Sequence, residues 1–239
     1  MLLNDTGEAR LASAKLGTMW HSQVGILAST TVSLVTALGA VLLVLGGSSG
    51  GGIGMLLLML AGLLCALVGS ILYLVGLYGL GKLDGDYQRA FSLSILGVVL
   101  GLIANFIGEG SLLYQLLDLT TSILSVVVMW LVLRATDRLL VQAGREELTG
   151  QGRTAFWLTA AAMVLTWGTQ FFTALLADLE GVLIGELVIL LIALALSIAG
   201  SILYILYLRS ASLAMAAYAL GGTRRLEAEL ERERGTDGN

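Results

Sequence analysis

The sequence predicts an all-α integral membrane protein: six transmembrane helices as three tandem helical hairpins, both termini cytoplasmic, with short extracytoplasmic tips. Two observations carry the class. Hydrophobic residues make up 57% of the 239 positions and charged residues only 13%, with a mean hydropathy of +0.91, whereas soluble domains carry about 25% charge. In addition, no Asp, Glu, Lys or Arg occurs from Leu16 to Gly81, room for two bilayer crossings of about 20 residues each. Helices follow because lipid offers unpaired backbone groups no partner, and no dyad alternation of a membrane β-strand is present. A third observation orients them: all thirteen Lys and Arg lie in 10–15, 82–89, 134–153 and 209–234, and the positive-inside rule puts these on the cytoplasmic side.

Residues 1–20 form an N-terminal segment whose charges interrupt its apolar positions, which excludes a signal peptide. Ala12, Leu16, Met19 and Trp20 recur there at helical spacing, as in a helix lying along the interface. The six-helix domain occupies 21–210, with spans at about 23–46, 53–80, 91–108, 112–135, 154–177 and 182–208. Its tips are 46–54, 108–111 and 178–181, rich in glycine or acid, which set consecutive helices antiparallel. Trp20, Tyr78, Trp130, Trp157 and Tyr207 sit near the basic ends as an aromatic belt. The connection 136–153 lets the fourth helix continue beyond the bilayer until Gly144. Residues 211–239 form a cytoplasmic helical tail, whose alternating charges over 223–234 indicate a solvated helix or a docking surface. The absence of proline argues for straight helices, and the lone Cys65 is a packing residue.

Candidate sites are few. Gln115, Asp118, Ser122 and Ser125 share one face of the fourth span, with Asp118 roughly 9 Å inside it at 1.5 Å per residue. An ionisable group at that depth is costly and often marks an ion path; the alternative is a hydrated acid near the outer interface. Thr159, Thr166, Gln170 and Thr173 make a polar stripe in the fifth span, as Ser29, Ser33 and Thr36 do in the first. Such stripes either bind helices together or line a path. Glu186 lies one turn into the sixth span. Gly97 and Gly101 form a GxxxG pair, and Gly69 and Gly76 a looser small-residue face; both imply close helix packing.

Enzyme chemistry and cofactors find no support. His21 is the only histidine, which excludes multi-histidine zinc sites and bis-histidine haem. No Walker loop and no GxSxG nucleophile elbow exists: GGSSG at 46–50 and GSSGG at 47–51 match the letters only, in a glycine-rich tip between two predicted helices. Asp84-Gly85-Asp86 contains the GD of intramembrane aspartyl proteases, but Leu83 replaces that family's first glycine and the pair lies in a charged turn rather than a dry site.

The stretch 69–107, with LVGLYGL, GDYQRAF and LGVVLGLIANFI, resembles a family of uncharacterised prokaryotic six-span membrane proteins known as a domain of unknown function. The stretch 133–161 is similar to that family's arginine-ended helix, acidic cytoplasmic connection and return helix near RTA. The resemblance implies the same six-span fold and supplies no activity or site residues. The sequence therefore predicts a non-enzymatic membrane scaffold or accessory subunit in a prokaryotic plasma membrane. Its partners would be the lipid bilayer, other membrane-protein subunits or further copies, and not nucleic acid. The alternatives are a small cation or solute transporter or channel using Asp118, and a lipid-handling or membrane-shaping protein. A second copy of the motif GSILY, at Gly69 and again at Gly200, suggests a repeated hairpin.

Overall fold

A computed structural model describes residues 6–45, 52–107, 111–175 and 182–236, with side chains for all of these except Leu34, 37–45, 52–53, 55–56, 170–175, 182–184, 186–187 and 222–236. The predicted tips therefore lie almost wholly outside the described residues. The elements are α1 (Thr6–Leu45), α2 (Gly52–Leu80), α3 (Gly85–Ile107), α4 (Leu112–Gln142), a 3₁₀ turn (Glu146–Leu148), α5 (Gln151–Leu175) and α6 (Val182–Thr236). Among the described residues, four helical stretches are long and apolar enough to cross a membrane: 57–80, 85–107, 112–142 and 188–221.

Local chemistry sets the helix ends. Ser111 caps α4 by accepting a hydrogen bond from the Tyr114 N–H at 3.1 Å, filling one of the orphan donors of the first turn. At the other end Gly144 adopts φ +68°, the Arg145 N–H bonds Leu140 O and the Gly144 N–H bonds Val141 O. This is a Schellman stop, so Gly144 ends the helix by taking the left-handed conformation that side chains resist. Between α2 and α3 the chain turns on Leu83 and Asp84 N–H bonds to Leu80 O. Asp84 then caps α3 through its carboxylate and the Asp86 N–H at 2.7 Å.

Each helix packs on its sequence neighbours, and α6 returns onto α1, closing a ring; α1–α2, α3–α4, α5–α6 and α1–α6 are broad contacts, α2–α3 and α4–α5 narrow ones. The α1–α2 seam runs antiparallel along glycines seven residues apart. A Cβ on Gly62 would meet Val32 and Ser33, one on Gly69 would meet Ile26 and Ser22 O, and one on Gly76 would meet Met19 and Lys15 O. Small residues let backbones approach, the packing logic of helices that cannot gain from burying apolar surface against lipid. Gly200 seats α6 on α5 in the same way, against Thr159 and Ala155 O. Across α1 and α6 the serines trade bonds: Ser13 Oγ donates to Ser212 O at 3.0 Å and Ser212 Oγ to Ser13 O at 2.9 Å.

The buried core gathers at the end of the ring where the basic residues lie. Leu16, Met19, Leu77, Leu80, Leu139, Leu140, Leu208 and Met215 are fully buried there. Elsewhere large apolar side chains face outward, Phe106 being 90% exposed and Leu63 64%. So continuous an apolar exterior suits lipid and would aggregate in water.

Two details differ from the sequence reading, and a third adds to it. No break separates residues 6–20 from the apolar stretch that follows, and their face Ala9, Ala12, Leu16 and Met19 is buried. The first turns of the predicted tail are buried at Ala211, Ser212, Ala214, Met215 and Ala219, while the side chains of its charged part, 223–234, where the sequence predicts a solvated helix, lie outside the described residues. Tyr207 is not part of an aromatic belt: it is 2% exposed and bonded to Asp137. Trp157 and Tyr78 are exposed, at 68% and 61%.

Candidate functional site

The densest polar chemistry lies at the basic end, where the α2–α3 turn meets the end of α4. Asp84 and Asp86 are 6% and 4% exposed, and burial of carboxylates requires paired charge. Arg138 supplies it to both, with Nη1 3.1 Å from Asp84 Oδ2 and Nη2 2.9 Å from Asp86 Oδ2. Arg89, one turn along α3, adds a 3.2 Å contact to Asp86 Oδ1, and Arg134 approaches Asp86 Oδ2 at 3.9 Å. Asp86 Oδ2 receives no well-aimed hydrogen bond and is held by charge. Two carboxylates divided by a guanidinium do not form a proton-sharing dyad. They join α3 to α4.

Around this pair the same helices are bonded again. Tyr87 Oη lies 2.7 Å from Thr136 Oγ1, which itself donates to Val132 O, so the tyrosine is the donor. Tyr207 Oη donates to Asp137 Oδ1 at 2.7 Å, and the Gly150 N–H reaches the same oxygen at 3.2 Å. The stretches 69–107 and 133–161, singled out in the sequence as two separate motifs, thus meet in one cluster. Sequence reasoning missed it because both lay in charged connections. The available signal was an acid pair flanking the start of α3, Asp84 and Asp86, and two arginines, Arg134 and Arg138, on one helix face.

Beside the cluster, between the end of α4 and the start of α5, lies a recess of about 580 Å³. Trp130, Arg134, Asp137, Arg138, Val141, Thr149 and Arg153 line it. Arg145 is paired with Glu147 at 3.1 Å. The Glu147 carboxyl is held below its usual range by its own backbone N–H and by that arginine. Arg153 makes no ion pair among the described residues.

A second cavity, of about 490 Å³, occupies the middle of the ring and takes residues from all six helices: Gln23, Tyr73, Gly97, Ser125, Thr159 and Tyr204 represent them. Among the described residues, no charged side chain lines it. Its hydroxyls mostly donate to their own helices, Thr159 to Ala155 O at 3.0 Å and Ser125 to Thr121 O at 2.9 Å, so they offer lone pairs to the cavity. The hydroxyls of Tyr73 and Tyr204 meet at 3.4 Å across the ring.

The predicted polar path is brought together only in part. Ser122, Ser125 and Thr166 line one cleft of about 500 Å³ between α4, α5 and α6. Gln115 is exposed, and Asp118, half-buried, lines neither this cleft nor the central cavity. The side chains of Gln170 and Glu186 lie outside the described residues. Of the predicted packing glycines, Gly69 and Gly76 meet α1, but nothing lies within 4 Å of a Cβ built on Gly97 or Gly101. Among the described residues this GxxxG pair brings no helix close, and Gly97 instead borders the central cavity. Gly152, at the start of α5, is a packing glycine the pattern did not single out; Leu133 and Tyr207 fill the place of its Cβ.

Compared with known protein families, with curated proteins and with solved structures, the chain finds no match.

Proposed function

We propose that this chain is a six-span membrane protein of a prokaryotic plasma membrane, built of three tandem hairpins with both termini in the cytoplasm. In that setting it acts as a non-enzymatic scaffold or accessory subunit. The observation that carries the role is the length of α6. Through the Ser13–Ser212 register, the start of α1 at Thr6 stands level with the region of Ala219, yet α6 continues to Thr236. A helix of roughly 25 Å at 1.5 Å per residue therefore runs on beyond the level of the first described turn of α1. Its alternating charges suit a solvated helix or the surface of another protein. Further support comes from the confinement of Lys and Arg to one end and from the resemblance to uncharacterised six-span membrane proteins.

The test is the intact mass of the gently solubilised full chain, with co-purifying chains identified, beside a version ending at Leu220. A stable assembly that dissolves on truncation is expected. A monomer in both forms, with no other chain, would reject the role.

The central cavity favours a second reading, passage of a small uncharged or weakly cationic solute through the ring. Its uncharged, hydroxyl-lined wall is the specific support. Saturable uptake by proteoliposomes of the purified chain, lost in Gly97→Leu, would move the assignment to it.

A further inference from the structure

We propose that the recess between α4 and α5 binds the phosphodiester head group of an anionic phospholipid. Position comes first. With the hydrocarbon beginning at Leu112, about twenty residues at 1.5 Å each cover its ~30 Å. Trp130 and Arg134 then fall where the head groups begin. Tryptophan belongs at that level because its ring has an apolar body and one N–H donor, and Trp130 forms a wall of the recess. The recess thus opens at the depth of lipid phosphate.

Charge is the second argument. Three arginines line the space, Arg134, Arg138 and Arg153, against one acid, Asp137. Asp137 spends Oδ1 on the Tyr207 hydroxyl and the Gly150 N–H. Arg138 is shared between Asp84 and Asp86, while Arg134 touches Asp86 only at 3.9 Å. Arg153 forms no ion pair among the described residues, and its Nε folds back to within 3.9 Å of a Cβ position on Gly150. The guanidiniums of Arg134 and Arg153 are therefore available to oxygen acceptors, and a guanidinium fork matches phosphate geometry.

The third argument separates lipid from free phosphate. Val141 and Trp130 give the recess an apolar wall that acyl chains and glycerol cover and that inorganic phosphate leaves wet. Basic pockets between membrane helices commonly hold acidic head groups for this reason. The inference rests on the membrane placement proposed above and not on the scaffold role.

The experiment uses the full chain in nanodiscs of equal phosphatidylglycerol and phosphatidylcholine, with retained lipids counted by native mass spectrometry. Phosphatidylglycerol should be retained in preference. Arg153→Gln and Arg134→Gln should each lower that retention about five-fold, the worth of one basic residue near an anionic surface. Arg145→Gln, which removes the same charge from a residue already paired with Glu147, should leave it unchanged. Helicity followed on heating guards against misfolding, and Arg153→Gln breaks no ion pair or side-chain hydrogen bond among the described residues. Equal loss in all three variants would overturn the site in favour of general attraction. Indifference to lipid combined with displaceable inorganic phosphate would overturn the lipid assignment. Failure of the chain to enter the discs would overturn the membrane placement itself, which keeps the two failures distinct.

Discussion

Replacing Arg138 by methionine removes the one cation that serves both buried acids. Asp84 then keeps only the Asp86 N–H bond at 2.7 Å, while Asp86 retains Arg89 at 3.2 Å and the distant Arg134. Breaking a buried ion pair costs about 3–5 kcal/mol because a charge is left behind without a partner. Arg138 is itself 39% exposed, so water relieves part of that. The expected loss is about 2–4 kcal/mol. In the Asp84→Asn, Asp86→Asn background the same change should cost less than about 1 kcal/mol, since no charge is stranded. The asparagine at 84 still caps α3, because the Asn side chain is as good an N-cap as Asp. Helicity followed during titration with SDS in mixed micelles reads both numbers and completes a mutant cycle. A loss below about 0.5 kcal/mol for Arg138→Met, or an equal loss in both backgrounds, would refute the account of this cluster. Arg138→Lys should fall between, since one ammonium cannot reach two carboxylates as a planar fork does.

Gly69→Ala should destabilise the α1–α2 seam by about 1–3 kcal/mol through overpacking, since its methyl would sit 3.0 Å from Ser22 O. Gly97→Ala should be neutral or stabilising by up to about 1 kcal/mol, because the space is open and alanine favours helix; the same SDS titration separates the two. Tyr87→Phe removes the donor to Thr136 and should cost about 1 kcal/mol in that assay, more if Thr136 is left short of a partner. Asp118→Asn, at a half-buried position with no charged partner among the described residues, should change stability by less than about 0.5 kcal/mol. A larger loss would mean that the acid is held by a group the polar-path reading overlooks.

The helices themselves were legible, because apolar runs of this length have no other stable form in lipid. Their ends were legible where a local signal existed, as at Gly144. What the sequence could not supply was anything set by partners far along the chain. Residues 6–20 carry Glu8, Arg10 and Lys15 and read as interfacial, yet α2 around Gly76 and α6 around Ser212 bury their apolar face. The spacing of Gln115, Asp118, Ser122 and Ser125 correctly puts them on one face of a helix. Spacing does not say what that face meets, and only its inner half reaches a cleft shared with Thr166. Glycines divide on the same ground. Gly69 and Gly97 sit in similar apolar company, but a backbone carbonyl of α1 stands opposite the first and an empty space opposite the second.

The two copies of GSILY show how little of the chain needs to be special. In each, the glycine seats its helix on the one before, Gly69 on Ser22 and Ile26 and Gly200 on Ala155 and Thr159. Four residues on, one helical turn away on the same face, stands a tyrosine, and these two hydroxyls meet at 3.4 Å in the middle of the ring. Toward the basic end from that contact the protein is filled, by Leu77, Leu80, Leu139 and Leu208 and then by the acid–arginine cluster. The remaining ring residues, Gly97, Ser125 and Thr159, border space. A bundle welded at one end and hollow beside its tyrosine pair should yield first at the hollow. Hydrogen exchange in micelles is therefore expected to protect α4 amides from Val128 to Leu140 longer than those from Leu116 to Leu124, since local opening follows contact density. Uniform protection along α4 would mean that the cavity carries no local weakness, and with it the solute-path reading would lose its structural opening.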